Sequence, residues 1–454
     1  MLCISSYGAA APWRRCAGRV RWRIGSSGAG ALPPRRHGKR RVAVGLVMLC
    51  WLTLVAADES VLSLEDAVRE AESVSPALAA ARARADAMAQ LAPQMGALPD
   101  PRVVLNVANL PVDSFELGAD PMTQLQLGIV QDLPFPGKRG LRRDAATLEA
   151  DAAVVDVDDL RQRLVRDVKL LWWQLFDVER ALETVHGNQR LFEQLVETAQ
   201  TKYAVGQGLQ HDVLLAELEL TALRDEALRL EEQRIHQQLR LNTLLNRDAL
   251  TPVRLPQVID TPLPEVLSVE RLQQLALAEQ AELRVLQTRL DAARLRRALA
   301  ERERYPDFRL GAVYGQRAHH DDLASVQFSM SLPLYAGSKQ HRAVDQRSAE
   351  ALASRYALDD ARNHVMAEVA MALAQYRRAR DQLALYADGL LPQARQTVDA
   401  MLAGYQVNKV DFLDLVRAQT TLAEYQTQYW QVYSEAHRAL ARLVAAVGTE
   451  AVYE

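Results

Sequence analysis

Residues 123–139 read TQLQLGIVQDLPFPGKR, and this stretch decides how the rest of the chain is understood. Leu125, Leu127 and Ile129 alternate with Gln124, Gln126 and Gly128, the period-2 pattern of a strand with one apolar and one polar face. Pro134, Pro136 and Gly137 then break the strand, and the spacing turns helical at once and stays so to Ala204. The same event recurs in SVQFSMSLPLYAGSK, Ser325 to Lys339. There Val326, Phe328, Met330 and Leu332 alternate with Gln327, Ser329 and Ser331 before Pro333 and Gly337 close the strand.

Upstream of each strand lies its hairpin partner. Val103, Leu105 and Val107 share a face in Arg102–Asn109, and Phe308, Leu310, Ala312 and Tyr314 share one in the second half. Loops fill Pro111–Pro121 and His319–Ala324, and strands of about nine residues are long enough to cross a bilayer when tilted.

Downstream, Leu160, Leu164, Val168, Leu171, Leu175 and Val178 are spaced by fours and threes. A helix over Gly140–Ala204 is ~95 Å long at 1.5 Å per residue, which implies a coiled-coil-like assembly rather than a globular core. It turns at Tyr203–Gly208 and returns from His211 to Asn246. The second long helix spans Ser338–Leu402 with a disturbance at Gly389–Pro392, and a final helix runs to Val447.

The two hairpin turns align without a gap at an offset of 202, Tyr203 with Tyr405, Gly206 with Asn408, Asp212 with Asp414 and Ala216 with Ala418. Gly and Asn at one turn position fit a left-handed backbone at a helix end. The expected fold is therefore mostly α with a small β part, built from duplicated long helical hairpins and four strands. Residues 1–57 form an N-terminal extension and signal peptide, 58–250 the first repeat with a strand hairpin at 102–132 and a helical hairpin at 138–246, and 251–266 a linker. Residues 267–454 form the second repeat, with a strand hairpin at 307–332 and a helical hairpin at 338–447.

Each repeat opens on a short helix. The first starts after the N-cap candidate Ser63, meets Pro76 as a kink or restart and stops near Pro93; the second follows Leu267-Ser268 and runs to Arg304. Arg35, Arg36, Lys39, Arg40 and Arg41 precede the apolar run Val42–Ala57, the layout of a secretory signal cut after Ala57. Cys3, Cys16 and Cys50 all precede that cut, so neither disulfides nor thiolate sites are expected. Cys50 lies inside the apolar run and does not fit a lipid acceptor. The leader's ten basic residues leave 44 basic against 57 acidic, a net −13. That argues against a nucleic-acid partner and suits passing cations.

Four strands cannot close a lipid-exposed sheet, since the smallest membrane barrels have eight. Three copies give twelve, with Gln124, Gln126, Gln327, Ser329 and Ser331 facing a water-filled lumen. A soluble sandwich edge or a coiled-coil scaffold with peripheral hairpins is the plainer alternative.

The twin strand-Pro-[Phe/Leu] elbows, closed by Gly137 and Gly337, and the Tyr-x-x-[Gly/Asn]…Asp-x-x-x-Ala-[Glu/Gln] turns resemble TolC-type outer-membrane efflux factors, from Leu62 to Val447. ALPDP (Ala97–Pro101), NLPVDSF (Asn109–Phe115), DPMTQ (Asp120–Gln124) and PFPGKRGLR (Pro134–Arg142) look most like the heavy-metal branch, which serves cobalt–zinc–cadmium or copper–silver exporters. The resemblance implies a homotrimeric passive duct in the outer membrane that docks on an inner-membrane RND-type pump through periplasmic adaptors, needs no cofactor and catalyses nothing. It also implies a periplasmic constriction at Tyr405, Asp414, Arg417 and Asp212, and hairpin tips at Tyr203, Gly206, Gly208 and Asn408 that meet adaptor or pump. The elbows are Pro134, Pro136, Gly137, Pro333 and Gly337. Family members hold the tip shut with a tyrosine and an arginine, but Val410 stands in the arginine's place and Arg417 in that of a second aspartate. Asp414, repeated three times, forms an acidic ring in this reading, with Arg417 free to pair with Asp212 or Asp414; a solvated carboxylate near a helix start is the equal alternative.

Other residues carry less. His319-His320-Asp321-Asp322 has metal-ligand types but falls in an expected external loop. His186 and His211 are isolated, and Trp172-Trp173 suit helix packing. No nucleophile motif or phosphate loop occurs. A duct for drugs or secreted proteins, or a periplasmic adaptor coiled coil that never inserts, remain open alternatives.

Overall fold

The computed structural model describes residues 61–257, 259, 261–407 and 409–453. The expected leader, its cut and Cys50 lie outside the described residues. Among these residues the order is α1 (Leu64–Val74), α2 (Pro76–Gly96), β1 (Arg102–Ala108), β2 (Gln124–Leu133), α3 (Lys138–Ala204), α4 (Gln210–Leu244), α5 (Val269–Glu279) and α6 (Ala281–Arg302). There follow β3 (Phe308–Gln316), β4 (Leu323–Met330), α7 (Gln340–Leu385), a π-helical turn (Tyr386–Leu390), α8 (Leu391–Gln406) and α9 (Phe412–Val447). The protein is mostly helical with one small sheet. No described helix is long and apolar enough to cross a membrane.

The short helices break as well as start in step. Ser63 and Ser268 both cap with their hydroxyls, accepting from Asp66 N–H and Arg271 N–H. Ser75 ends α1 and caps α2, with Pro76 at the first helical position where its missing N–H costs nothing. The unbroken helix expected up to Arg304 is instead cut at Gln280. Its backbone is extended (φ −62°, ψ 120°), its side-chain carbonyl accepts from Ala281 N–H, and its amide donates to Ala445 and Ala446 carbonyls at 3.3 Å. Glutamine does there what serine does in the first repeat, using acceptors from α9. Pro93 falls inside α2, which runs on to Gly96; so near the helix end its missing donor costs a single bond.

The sheet is an antiparallel meander in the order β1-β2-β3-β4. Its register puts Leu105 opposite Leu127, Leu127 opposite Tyr314, Ile129 opposite Ala312, and Leu310 opposite Phe328. One face is thus apolar across all four strands, broken only by Gln131 and Gln316 towards the two ends, and it is bare: Val103 is 73% exposed and Val326 81%. The other face carries Asn106 bonded to Gln126 at 3.0 Å, and Gln124, Ser325, Gln327 and Ser329. At its base Asp132 receives Arg102 and Arg309, each at 2.6 Å. Ser331 lies past the end of β4, where its N–H donates to the Asp307 carbonyl.

α3 has 67 residues, ~100 Å of helix. It packs between α4 and α9, which leaves α4 at one edge of the helical layer and α8 at the other. Trp172, Trp173 and Phe176 of α3 form an aromatic cluster with Trp430 and Tyr433 of α9, and Trp172 Nε1–H donates to the Leu62 carbonyl. The linker is held along the same layer, Tyr433 donating to the Ile259 carbonyl and Tyr376 to that of Pro264. A second core joins α5, α6, α7 and α9.

His437 of α9 is 5% exposed and stacks on Trp173 with centroids 4.0 Å apart. Burial pushes its pKa down from 6.5 to about 4. The unfolded chain binds a proton near 6.5 and the folded chain does not until about 4, so its contribution is complete above 6.5 and declines as pH falls through that window. Asp177 works the other way: burial pushes it up from 3.8 to about 6, so its contribution is present below 3.8 and lost as pH rises to 6. His437→Gln is expected to shrink the stability lost across the acid window by about 3 kcal/mol, read from thermal unfolding of the detergent-solubilised protein at several pH values. An unchanged acid limb sinks the assignment.

Candidate functional site

Two regions gather the residues singled out by sequence: the elbows and the helical tips. At the first elbow, Pro134 and Pro136 end the pairing of β2 and Gly137 adopts a left-handed conformation (φ 92°) that caps α3. Lys138, at the first position of α3, is 2% exposed, and its ammonium donates to the Tyr305 carbonyl and to Asp307 Oδ1, both at 2.8 Å. Phe135 N–H donates to the same Asp307 oxygen, and the Phe135 ring stacks on Tyr305 at 4.6 Å. The first elbow is therefore clamped onto the start of the second strand hairpin. The second elbow has no such seat: Leu332, Leu334 and Tyr335 beside Pro333 are 61%, 81% and 78% exposed, and Gly337 stands in open space.

At the first tip, α3 ends at Tyr203-Ala204 and the chain reverses through Gly206 (φ 73°), the left-handed residue expected there. Gly208 passes so close to Lys202 that a Cβ would stand 3.0 Å from its side chain and from the Tyr203 nitrogen. Tyr203, Val205 and Leu209 are 50–63% exposed. Asp212 caps α4 by accepting Leu209 N–H at 3.3 Å, with His211 Nε2 3.2 Å from its other oxygen. At the second tip the Val410 side chain folds against Gly404, leaving no room for a Cβ there. Asn408 lies outside the described residues.

The two tips are packed together within one chain. Phe192, Ala199, Ala216 and Leu220 of the first hairpin share a core with Tyr405, Phe412, Leu415 and Val416 of the second. Lys202 spans the joint: its Nζ sits 3.8 Å from the centre of the Tyr405 ring and donates to the Tyr405 carbonyl at 3.1 Å. Tyr405 is 7% exposed, and its hydroxyl is pushed above the usual tyrosine range by burial and then by the Asp212 charge. Lys202, Tyr405 and Asp212 thus form one group. Arg417 and Asp414 stand apart from it, exposed and 4.0 Å from each other, and within one chain Arg417 forms no ion pair with Asp212. Sequence reasoning missed Lys202. The only signal was its place one residue before the repeated turn tyrosine.

The residues of the β3–β4 loop are bonded within their own hairpin. Asp322 accepts the Tyr314 hydroxyl and Arg317 N–H, and His320 Nδ1 lies 3.1 Å from the Ala318 carbonyl. Among the described residues no group of three or more His, Cys, Asp or Glu is placed to hold a metal ion.

Against known proteins, the sequence profile described as outer membrane efflux protein matches residues 67–247 and 272–449. Together these make up most of the chain. The chain belongs to the outer membrane efflux protein family. A search of curated protein sequences finds no match. Among solved structures, this efflux protein is similar to the outer membrane protein VceC of Vibrio cholerae at 22% identity, with 85% of this chain and 96% of that one covered and a TM-score of 0.74. It is similar to CusC, whose report concerns folding and transmembrane channel formation, at 16% identity, with 85% and 92% covered and a TM-score of 0.73. It is similar as well to the Campylobacter jejuni CmeC outer membrane channel at 12% identity, 85% of each chain covered and a TM-score of 0.74. At these identities the likeness shows a shared fold, and the efflux family match covers both repeats.

Proposed function

We propose that the chain is the outer-membrane exit duct of a tripartite efflux system, three copies closing a twelve-stranded barrel that continues as a helical tunnel. The observation that carries this reading is the sheet: one mostly apolar face, one more polar face, and two unpaired edge strands. Four strands with a bare apolar face are unstable in lipid unless the edges find partners. Twelve strands enclose more space than the eight whose side chains fill the interior. The edge helices α4 and α8 likewise leave the helical layer open at its two sides.

The tips would meet a periplasmic adaptor and an inner-membrane RND-type pump, Tyr203, Val205 and Leu209 offering exposed apolar contacts. Tyr405, Asp212, Asp414 and Arg417 would line the constriction, with Lys202 added to them as the cation that joins the hairpins. The exported substrate is a heavy-metal cation in this reading, on the ALPDP, NLPVDSF, DPMTQ and PFPGKRGLR segments. The acidic residues near the tips fit cation passage by raising local cation concentration.

Fractionation tests the duct: the protein should occur in the outer membrane as a heat-dissociable trimer, and a soluble periplasmic monomer would remove the reading. Deletion in a strain without redundant exporters should lower tolerance to divalent transition metals. Unchanged metal tolerance with lost tolerance to organic drugs would move the substrate to that class while keeping the duct.

A further inference from the structure

A cleft of about 740 Å³ opens between the two repeats where the linker crosses the helices, large enough for a drug-sized molecule. α3 lines it with Arg180 and Gly187, α8 with Arg395, and α9 with Tyr429 and Trp430. Three of its features have no account in the packing of the chain. Arg180 is 8% exposed, and its Nη1 donates to Glu183 and to the Gln257 carbonyl, but its Nε–H has no partner. A buried donor left unpaired is costly unless something supplies an acceptor. Arg395 is exposed beside the same cleft and forms no ion pair among the described residues. Against these two guanidiniums the described lining holds one carboxylate, Glu183, which leaves one positive charge unbalanced. Gly187 stands well inside α3, where glycine is unfavourable relative to alanine. Packing does not demand it: a Cβ there would meet only Arg190 Nη2, 4.0 Å away. What the missing side chain leaves free is space in the cleft.

We infer that this cleft is a binding site for a small aromatic monocarboxylate. The carboxylate accepts the free Arg180 Nε–H and pairs with Arg395, cancelling the one unbalanced charge through charge-assisted hydrogen bonds. A dianion would set its second charge against Glu183. The Phe176 ring, 5.5 Å from the Arg180 guanidinium carbon, holds that guanidinium from behind. The flat body of the ligand lies against Tyr429 and Trp430, whose rings meet edge to face at 5.1 Å, with Leu391 and Ile259 beside them. The site is complete within a single chain and stands apart from the duct reading. Its occupant ties α3 of the first repeat to α8 of the second, the same two helices that Lys202 and Tyr405 join at the tips.

The probe is β-naphthoate, with the neutral β-naphthamide as its control, each titrated calorimetrically into the full detergent-solubilised protein. Wild type should bind β-naphthoate saturably, with one site per chain, and the amide roughly tenfold more weakly. Arg395→Gln removes an exposed, unpaired charge and so leaves the fold alone. It should weaken β-naphthoate about tenfold and leave the affinity for the amide as it was. Gly187→Leu fills the cleft and replaces a poor helix former with a good one, so it should abolish binding of both probes with no fall in unfolding temperature. Absence of saturable β-naphthoate binding to wild type overturns the site. Equal affinity for the two probes, or an unmoved affinity in Arg395→Gln, overturns the recognition of a carboxylate. Binding that survives in Gly187→Leu overturns the location. None of these results bears on the duct, which fractionation tests separately.

Discussion

A Lys202→Met channel should conduct in planar bilayers where the wild type stays mostly closed. Lys202 is the one charged side chain seen to reach from the first hairpin onto Tyr405 of the second, with its ammonium over the ring and on the carbonyl. Losing a partly desolvated cation–π contact and a charged hydrogen bond costs about 2 kcal/mol per chain, or ~30-fold in the ratio of parted to joined tips. Methionine keeps the length and apolar stem, so the hairpin core around Phe412 and Leu415 should survive. Lys202→Arg should restore closure. Arg417→Ala serves as the comparison, because an exposed pair at 4.0 Å is worth little. Wild-type conductance in Lys202→Met, or opening in Arg417→Ala alone, would place the latch elsewhere.

Removing the carboxylate at the first elbow should have the largest structural effect. In Asp307→Ala the Lys138 ammonium, 3% exposed, keeps only the Tyr305 carbonyl. Breaking a fully buried pair costs 3–5 kcal/mol, and because the Asp307 side chain is nearly half exposed the expected loss is about 2 kcal/mol. The temperature at which the proposed trimer dissociates in detergent should fall accordingly, and Lys138→Met should be milder because no buried charge remains. Acid offers a second reading. Burial alone would raise the Asp307 pKa, but the Lys138 hydrogen bond, the Phe135 N–H and the Lys138 and Arg142 charges outweigh it and hold the carboxyl below its usual 3.8. Its contribution is therefore complete above 3.8 and lost as pH falls through the lowered folded value. Other carboxylates held below their usual range (Asp322 and Glu350) weaken both proteins there, so Asp307→Ala should lose less stability than wild type. Equal acid sensitivity in both would remove the carboxylate from this role.

The parts of the fold legible in sequence were those written in short-range periodicity. The switch from period 2 to helical spacing at Pro134 and at Pro333 placed both strand hairpins and both long helices, and the repeated turn placed Gly206. The break at Gln280 was not legible, because glutamine is a good helix former and only the Ala445 and Ala446 carbonyls, distant in sequence, make it a cap. Lys202 was hidden for a related reason. A lysine in a turn reads as a solvated charge, and its partner, Tyr405, lies on the other repeat. Asp212 and Tyr405 were recognisable as a pair of types, whereas the separation of Arg417 from Asp212 depends on how the tips pack.

The π-helical turn at Tyr386–Leu390 sets how the two halves of the chain stay in step. Above it, the buried positions of α7 answer those of α3 at a spacing of 201: Val168 to Val369, Trp172 to Leu373, Leu175 to Tyr376, Val178 to Ala379. Below it the spacing is 202: Phe192 to Ala394 and Tyr203 to Tyr405. The wide turn absorbs a single surplus residue, without which the inward stripe of the lower half would be rotated by about 100°. The two halves thus run out of step by one residue at this turn, and the helix takes it up as a bulge instead of a break.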